Sequence, residues 1–136
     1  MIQLTIIRIE GYGPWTVTLG SDREAQLQML QAKIYHDVQR LFSAKDGIVF
    51  FNRFDEYFAI TNGLDAGDHR EIQRELVKAY KDLSMSMAVG AGKTAFEANL
   101  DAYRARKEGR MIDSDARIFG SVHEADVAQI MHVDVD

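Results

Sequence analysis

The sequence predicts an α+β fold: an antiparallel sheet of βαββαβ order with helices on one face, extended by one more helix and a closing strand. Three observations carry this. Short β-branched runs are bounded by turn residues, amphipathic stripes lie between them, and two apolar runs are separated by only a few polar residues. A chain of 136 residues falls where single domains cluster, so one domain over 1–136 is expected.

Each element has a local reason. Ile2 to Ile9 (IQLTIIRI) is rich in β-branched residues and runs into the turn-forming GYGP at Gly11 to Pro14, which marks a first strand. Ser21 with Glu24 forms a capping box, and Leu27, Leu30, Ile34, Val38 and Leu41 recur behind it at spacings of three and four, predicting a helix of about five turns. Gly47 to Phe51 (GIVFF) and Tyr57 to Thr61 (YFAIT) read as a hairpin with NRFDE at its tip. Asp68 with Glu71 reads as a second capping box ahead of Ile72, Leu76 and Tyr80, and the alternating LSMSMAV at Leu83 to Val89 follows as a strand. Thr94 with Glu97 opens a helix through Phe96, Leu100 and Tyr103 that stops at Gly109. Asp113 to Asp126 is polar and shows no period, and Val127 to Val135 closes the chain as a strand. Two βαβ-like crossovers around a hairpin give the ferredoxin-like arrangement.

Composition narrows the function. With 46% hydrophobic and 27% charged residues the chain has the make-up of an ordinary globular protein. The absence of cysteine excludes disulfides, thiolate metal ligands and a cysteine nucleophile, and fits a reducing compartment. The apolar start is interrupted by Gln3, Arg8 and Glu10, too short and too charged for a signal peptide or membrane span, so a cytoplasmic location and no membrane partner are expected. A net charge of −5 argues against general nucleic-acid binding but leaves small anions held by local basic groups or metal ions.

In the expected topology the first strand lies antiparallel beside the strand leaving the hairpin, which brings Glu10 towards Asp55. Carboxylates at a sheet edge beside the loop Gly11 to Gly13 suit a hard divalent cation that shares its oxygen ligands with substrate phosphates. By spacing alone, such acids are more often solvated turn residues. AVGAGKT at Ala88 to Thr94 lacks the first P-loop glycine, since Met87 stands there, and a strand end followed by a capped helix explains it, leaving Lys93 near a phosphate only by position. His36, His69, His123 and His132 have no metal-ligand spacing, and Met85 and Met87 read as core. Trp15 and Tyr12 sit where they could stack on a base, with core packing as good an account of Trp15.

MIQLTIIRIEGYGPWTVT together with FFNRFDEYFAITNGLD resembles the amino-terminal half of the archaeal GTP cyclohydrolase III family, and NRFDEYF falls where palm-domain nucleotide cyclases carry G-G-D-E-F. AFEANLDAYRARKEGR at Ala95 to Arg110 is similar to the carboxy-terminal helix of those cyclases, and the resemblance runs from Met1 to about Gly109. It implies a palm that uses two metal ions, Mg²⁺ or Mn²⁺, on a nucleoside triphosphate. By position it implies Glu10, Asp55 and the backbone carbonyl of Ile9 as metal ligands, with Asp55 and Glu56 as the catalytic acids. It implies phosphate contacts from the amides of Gly11, Tyr12 and Gly13 and from Arg106, and Arg53 and Lys93 join them as phosphate candidates by position, not by the resemblance.

Two departures stand out. Glu10 replaces the family's aspartate, and Arg53 and Phe54 replace the two glycines that let substrate approach the backbone, so cyclic di-GMP synthesis is not expected. The cyclohydrolase resembles two fused palms, whereas this chain ends at HVDVD, where a second palm would begin. Asp134 and Asp136 are then either that palm's metal strand or solvated acids on a closing strand. Length therefore favours the minimal CRISPR polymerase group. That resemblance implies a homodimeric nucleotidyltransferase joining ATP or GTP into a cyclic oligonucleotide signal in antiviral defence. Two alternatives stand beside it: a GTP cyclohydrolase III-like hydrolase that opens the ring of GTP, and a degenerate palm that binds nucleotide without chemistry.

Overall fold

The computed structural model describes residues 1–11 and 21–120, with side chains from Glu24 onward in the second stretch. The elements are β1 (Ile2–Glu10), α1 (Ser21–Ser43), β2 (Ile48–Arg53), β3 (Glu56–Ile60), α2 (Ala66–Ala79), β4 (Ser84–Gly92), α3 (Ala95–Glu108), β5 (Met111–Asp113) and β6 (Ile118–Gly120). The sheet order is β2-β3-β1-β4-β6-β5, with β1 antiparallel to both β3 and β4. The first four strands thus adopt the expected ferredoxin-like order. The strand expected at 127–135 lies outside the described residues.

Period-two alternation explains why β1 is apolar almost throughout. Ile7 and Ile9 join α1 and α2 in one core, with Ile34, Val38, Phe42, Ile72 and Leu76, while Leu4 and Ile6 join Ala98 and Ala102 of α3 in a second. The extra helix therefore covers the sheet face opposite α1 and α2. Met85 and Met87, 1% and 0% exposed, belong to the first core, as their alternation with serine implied.

The glycines of AVGAGKT serve packing. A Cβ on Gly90 would lie 2.3 Å from both Ala102 N and Ala98 O, and one on Gly92 would lie 2.6 Å from Glu97 Cβ. The backbone of α3 rests directly on β4, and Ala98, Ala102 and Ala105 are wholly buried.

Two caps differ from expectation. Asp65, not Asp68, caps α2: Asp68 N donates to Asp65 Oδ1 at 2.7 Å, and Asp65 N donates to Asp68 Oδ2 at 3.0 Å. Asp68 and Glu71 instead share Lys45, at 3.2 and 2.8 Å. Thr94 caps α3 as expected, accepting from Glu97 N, but the Glu97 carboxylate turns to Lys93 N and leaves the box half formed. Gly109, at φ 68°, closes α3 in the left-handed conformation that glycine alone adopts without strain.

The polar stretch after Gly109 contains two strands too short to show a period, and β6 runs parallel to β4. At the other edge, Gln39 Nε2 donates to Val49 O at 2.8 Å and its Oε1 accepts from Val49 N at 2.9 Å, which closes β2 at that residue to further pairing. Among the described residues no helix is long and apolar enough to cross a membrane.

Candidate functional site

The two acids at the hairpin tip have different surroundings. Arg53 pairs with Glu56 after a register shift, so only Phe54 and Asp55 form the turn and Glu56 opens β3. Asp55 keeps 53% of its side chain exposed, while that of Glu56 keeps 1%. Ile9 N donates to Asp55 O at 2.7 Å, fixing the turn against the end of β1.

Arg8 lies opposite Glu56 on one side and Ser86 on the other, and Glu10 follows two residues on, so all four share the face that α3 covers. Glu56 Oε1 accepts from Arg8 Nη2 at 2.9 Å and Nε at 3.3 Å. Its Oε2 accepts from Tyr103 OH at 2.5 Å and Asn52 Nδ2 at 3.0 Å. Burial pushes this carboxyl up, but the hydrogen bonds from Tyr103 and Arg8 and the charges of Arg53 and Arg8 outweigh it and hold the pKa below the usual range. Glu56 is therefore an ionised anchor with both oxygens engaged.

Arg106 reaches the same row from α3. It donates to Ser86 Oγ and, at 3.4 Å, to the Ile6 carbonyl, and its guanidinium stands 5.3 Å from the centre of the Phe119 ring. Its Nε is buried with no partner among the described residues. Burial and then the neighbouring Arg8 charge pull its pKa down to about 10, so it stays cationic at neutral pH. Glu10 Oε2 pairs with Arg117 at 2.9 Å, and Asp55 Oδ1 with Arg53 at 3.1 Å.

The sheet end thus gathers Glu10, Asp55 and Glu56 with Arg8, Arg53, Arg106 and Arg117; each carboxylate is held by a guanidinium, and Arg106 has no carboxylate partner among the described residues. Spacing pointed to neither Arg8, an arginine inside an apolar strand, nor Arg117, which comes from the unanticipated β5–β6 turn at φ 55°. Gly11, at φ 97°, lies just past Glu10 in a conformation that favours glycine. Tyr12, Gly13 and Trp15 lie outside the described residues, as do His123, His132, Asp134 and Asp136. Lys93 follows Gly92, which pairs with Ile2, so the structure sets it at the opposite end of the sheet from Glu10.

As metal ligands, no three acidic or histidine side chains converge among the described residues. Glu10 and Asp55 are both solvent-accessible, at 36% and 53% of their side chains, and a Mg²⁺ ion needs only one or two carboxylates when water and phosphate fill its remaining positions. That donor set fits such an ion.

The ferredoxin-like sheet is a fold shared with solved nucleotide-cyclase domains. The GGDEF domain of DgcB from Caulobacter crescentus, solved in complex with c-di-GMP, matches with a TM-score of 0.54 at 16% identity, over 88% of this chain and 77% of that one. The chain belongs to the GTP cyclohydrolase III family, whose model matches residues 1–136. GTP cyclohydrolase III of Methanothermobacter thermautotrophicus is 45% identical over 141 residues, and that of Methanobrevibacter smithii 41% identical over 143. Each match takes in 100% of this chain and 56% of the relative, so the chain spans about half the length of these relatives.

These relatives overturn the expectation of a nucleotidyltransferase that makes a cyclic oligonucleotide for antiviral defence. That expectation chose among palms by chain length, which carries no information about the reaction. The identity extends across the whole chain and is to GTP cyclohydrolases.

Proposed function

We propose that this chain carries a GTP-binding palm of GTP cyclohydrolase III type, which opens the five-membered ring of GTP by hydrolysis. The observation that carries the reading is the 45% identity to a named GTP cyclohydrolase III over the whole chain. In the reaction water adds at C8 of guanine, the C8–N9 bond breaks, and the C8 carbon stays on N7 as a formyl group.

Arg106 and Arg8 face the triphosphate in this reading, with Arg106 Nε–H a buried donor that has no partner among the described residues. Arg53, 60% exposed, can turn from Asp55 to a phosphate without disturbing the core. Gly11 starts the run of amides, with Tyr12 and Gly13, that would cradle phosphate. Glu10 and Asp55, with the Ile9 carbonyl, would hold Mg²⁺ or Mn²⁺. A cation held there supplies charge neutralisation for the triphosphate and Lewis acidity. Glu56 acts as a positioning residue for Arg8 and Tyr103. Lys93 has no part in this reading. Two copies would associate as a homodimer in the cytoplasm, an assembly that light scattering checks directly.

A second reading, a palm that binds GTP without turning it over, is favoured by the pairing of every site carboxylate with an arginine. Incubating the purified chain with GTP and Mg²⁺ and identifying products by mass spectrometry separates the two. A formylated pyrimidine nucleotide is the expected product. Intact GTP under conditions where GTP binds would establish the second reading, and a joined dinucleotide would refute both.

A further inference from the structure

We propose that the cleft between α3 and the β2–β3 hairpin seats the guanine ring, and that Asn52, held by Glu56, makes it prefer guanine to adenine. This rests on the nucleotide reading above and extends it to the base. The cleft has a volume of about 290 Å³ and is lined by Asn52, Phe58, Phe96, Asn99 and Tyr103. It adjoins the charged site directly, since Tyr103 and Asn52 both line it and both donate to Glu56. Apolar walls with a few convergent polar groups are what a small-molecule pocket requires.

Three features favour a flat heterocycle. Phe58 is stacked with Phe50 at 5.3 Å and 20°, which holds its ring rigid. Phe96 is 71% exposed, a large apolar side chain that the fold does not use. Asn99 is half-buried with no hydrogen bond to any described residue, so a complete amide is free at the wall.

Asn52 supplies polarity. Because its Nδ2 donates to Glu56 Oε2, its amide cannot flip without losing that bond, and Oδ1 is the atom left to accept. At position 1 and the C2 substituent guanine offers two donors, N1–H and N2–H, whereas adenine offers an acceptor at N1 and a bare C–H, its one pairing-edge donor being N6; the acceptor therefore discriminates where it faces N1. An acceptor held in place therefore selects guanine, and a site built to accept a ligand N–H rejects the analogue without it. Asn99, free to turn, can donate to O6.

The geometry of α3 agrees. Phe96, Asn99, Tyr103 and Arg106 recur at spacings of three and four, so they form one stripe. From Phe96 to Arg106 the helix rises about 15 Å, comparable with an extended nucleoside triphosphate. The base end of that stripe is the cleft and its phosphate end is Arg106, whose Nε has no partner among the described residues.

The test is calorimetric titration of the full chain with GTP and with ATP, each with Mg²⁺. Phe96→Ala and Asn99→Ala should each weaken GTP binding by about tenfold with unchanged melting temperatures, and Asn52→Ala should cut the preference for GTP over ATP by about tenfold. Phe96 and Asn99 are not core residues, so these variants fold and keep the test decisive even if Asn52→Ala disturbs Glu56. GTP affinity within about twofold of the unsubstituted chain in both would overturn the proposal. Binding is read rather than turnover, so a chain that binds GTP in this way but leaves the ring closed refutes only the hydrolase reading. Ring opening that persists in the variants at unchanged KM refutes only the cleft.

Discussion

Arg8→Ala removes the guanidinium that covers Glu56 Oε1 and leaves a carboxylate with 1% of its side chain exposed short of its bidentate partner. Removing one partner of a fully buried pair costs about 3–5 kcal/mol, because the other charge stays buried and uncompensated. Two things reduce that figure here. Arg8 keeps 32% of its side chain exposed, so water already screens it, and Tyr103, Asn52 and Arg53 remain on the carboxylate. The loss should therefore be near that of a charged hydrogen bond, about 1.5–3 kcal/mol. For a chain of this size it would lower Tm by roughly 5–10 °C.

The pH dependence adds a second check. Glu56 is held below its ordinary pKa, so its contribution is present above the unfolded value, 4.5, and is lost as pH falls through the folded value. Without Arg8 the folded pKa rises and the acid-side loss of stability becomes smaller. The assay is urea unfolding of both proteins from neutral pH down to about pH 3, a range that spans carboxylate titration. Equal midpoints at neutral pH, or an unchanged acid limb, would refute the view that Arg8 holds Glu56 in its charged form.

Three further outcomes are expected. Gly90→Ala places a methyl 2.3 Å from two backbone atoms of α3 and should destabilise the fold by about 3 kcal/mol or more, readable as a lowered urea midpoint. His69 is 0% exposed, its Nδ1–H donating to Asp65 O at 2.8 Å and its Nε2 accepting from Thr5 at 2.7 Å, and burial lowers its pKa below 6.5. Stability should be full above that value and fall with pH beneath it by up to about 1.4 kcal/mol per unit, a slope that His69→Gln should remove in pH-resolved unfolding. Asp55→Ala, at an exposed turn, should leave Tm within about 2 °C while abolishing GTP turnover, and activity that survives with Mg²⁺ would remove Asp55 from the metal set.

The regular elements were legible because period and punctuation agree in them. The LSMSMAV alternation set the two faces of β4, and Leu27, Ile34 and Val38 drew the buried stripe of α1. The capping of α2 was misread because Asp65, Asp68 and Glu71 offer two overlapping boxes, and the choice between them depended on Lys45, more than twenty residues away. The site was legible only in part. Glu10, Asp55 and Glu56 were visible as acids near one sheet end, but their environments depend on a register shift between Phe51 and Arg53 that no spacing reveals. Arg8, Arg117 and the cleft wall at Asn99 arise from tertiary packing alone.

Packing and site meet in α3. Ala102, whose backbone lies against Gly90, is followed by Tyr103, whose hydroxyl holds Glu56, and Arg106 lies one turn further on. The close approach of helix to strand therefore sets how far both side chains reach across the sheet. A hydrogen bond of 2.5 Å has little slack, since such bonds weaken steeply once lengthened or bent. Displacing α3 by about an ångström, the least a side chain at Gly90 or Gly92 demands, would uncouple Tyr103 from Glu56 before the helix itself came apart. The small residues of AVGAGKT and of the Ala98–Ala102–Ala105 stripe thus act on the charged cluster at the sheet end without entering it: they hold one wall at the spacing at which its tyrosine and arginine reach across the sheet.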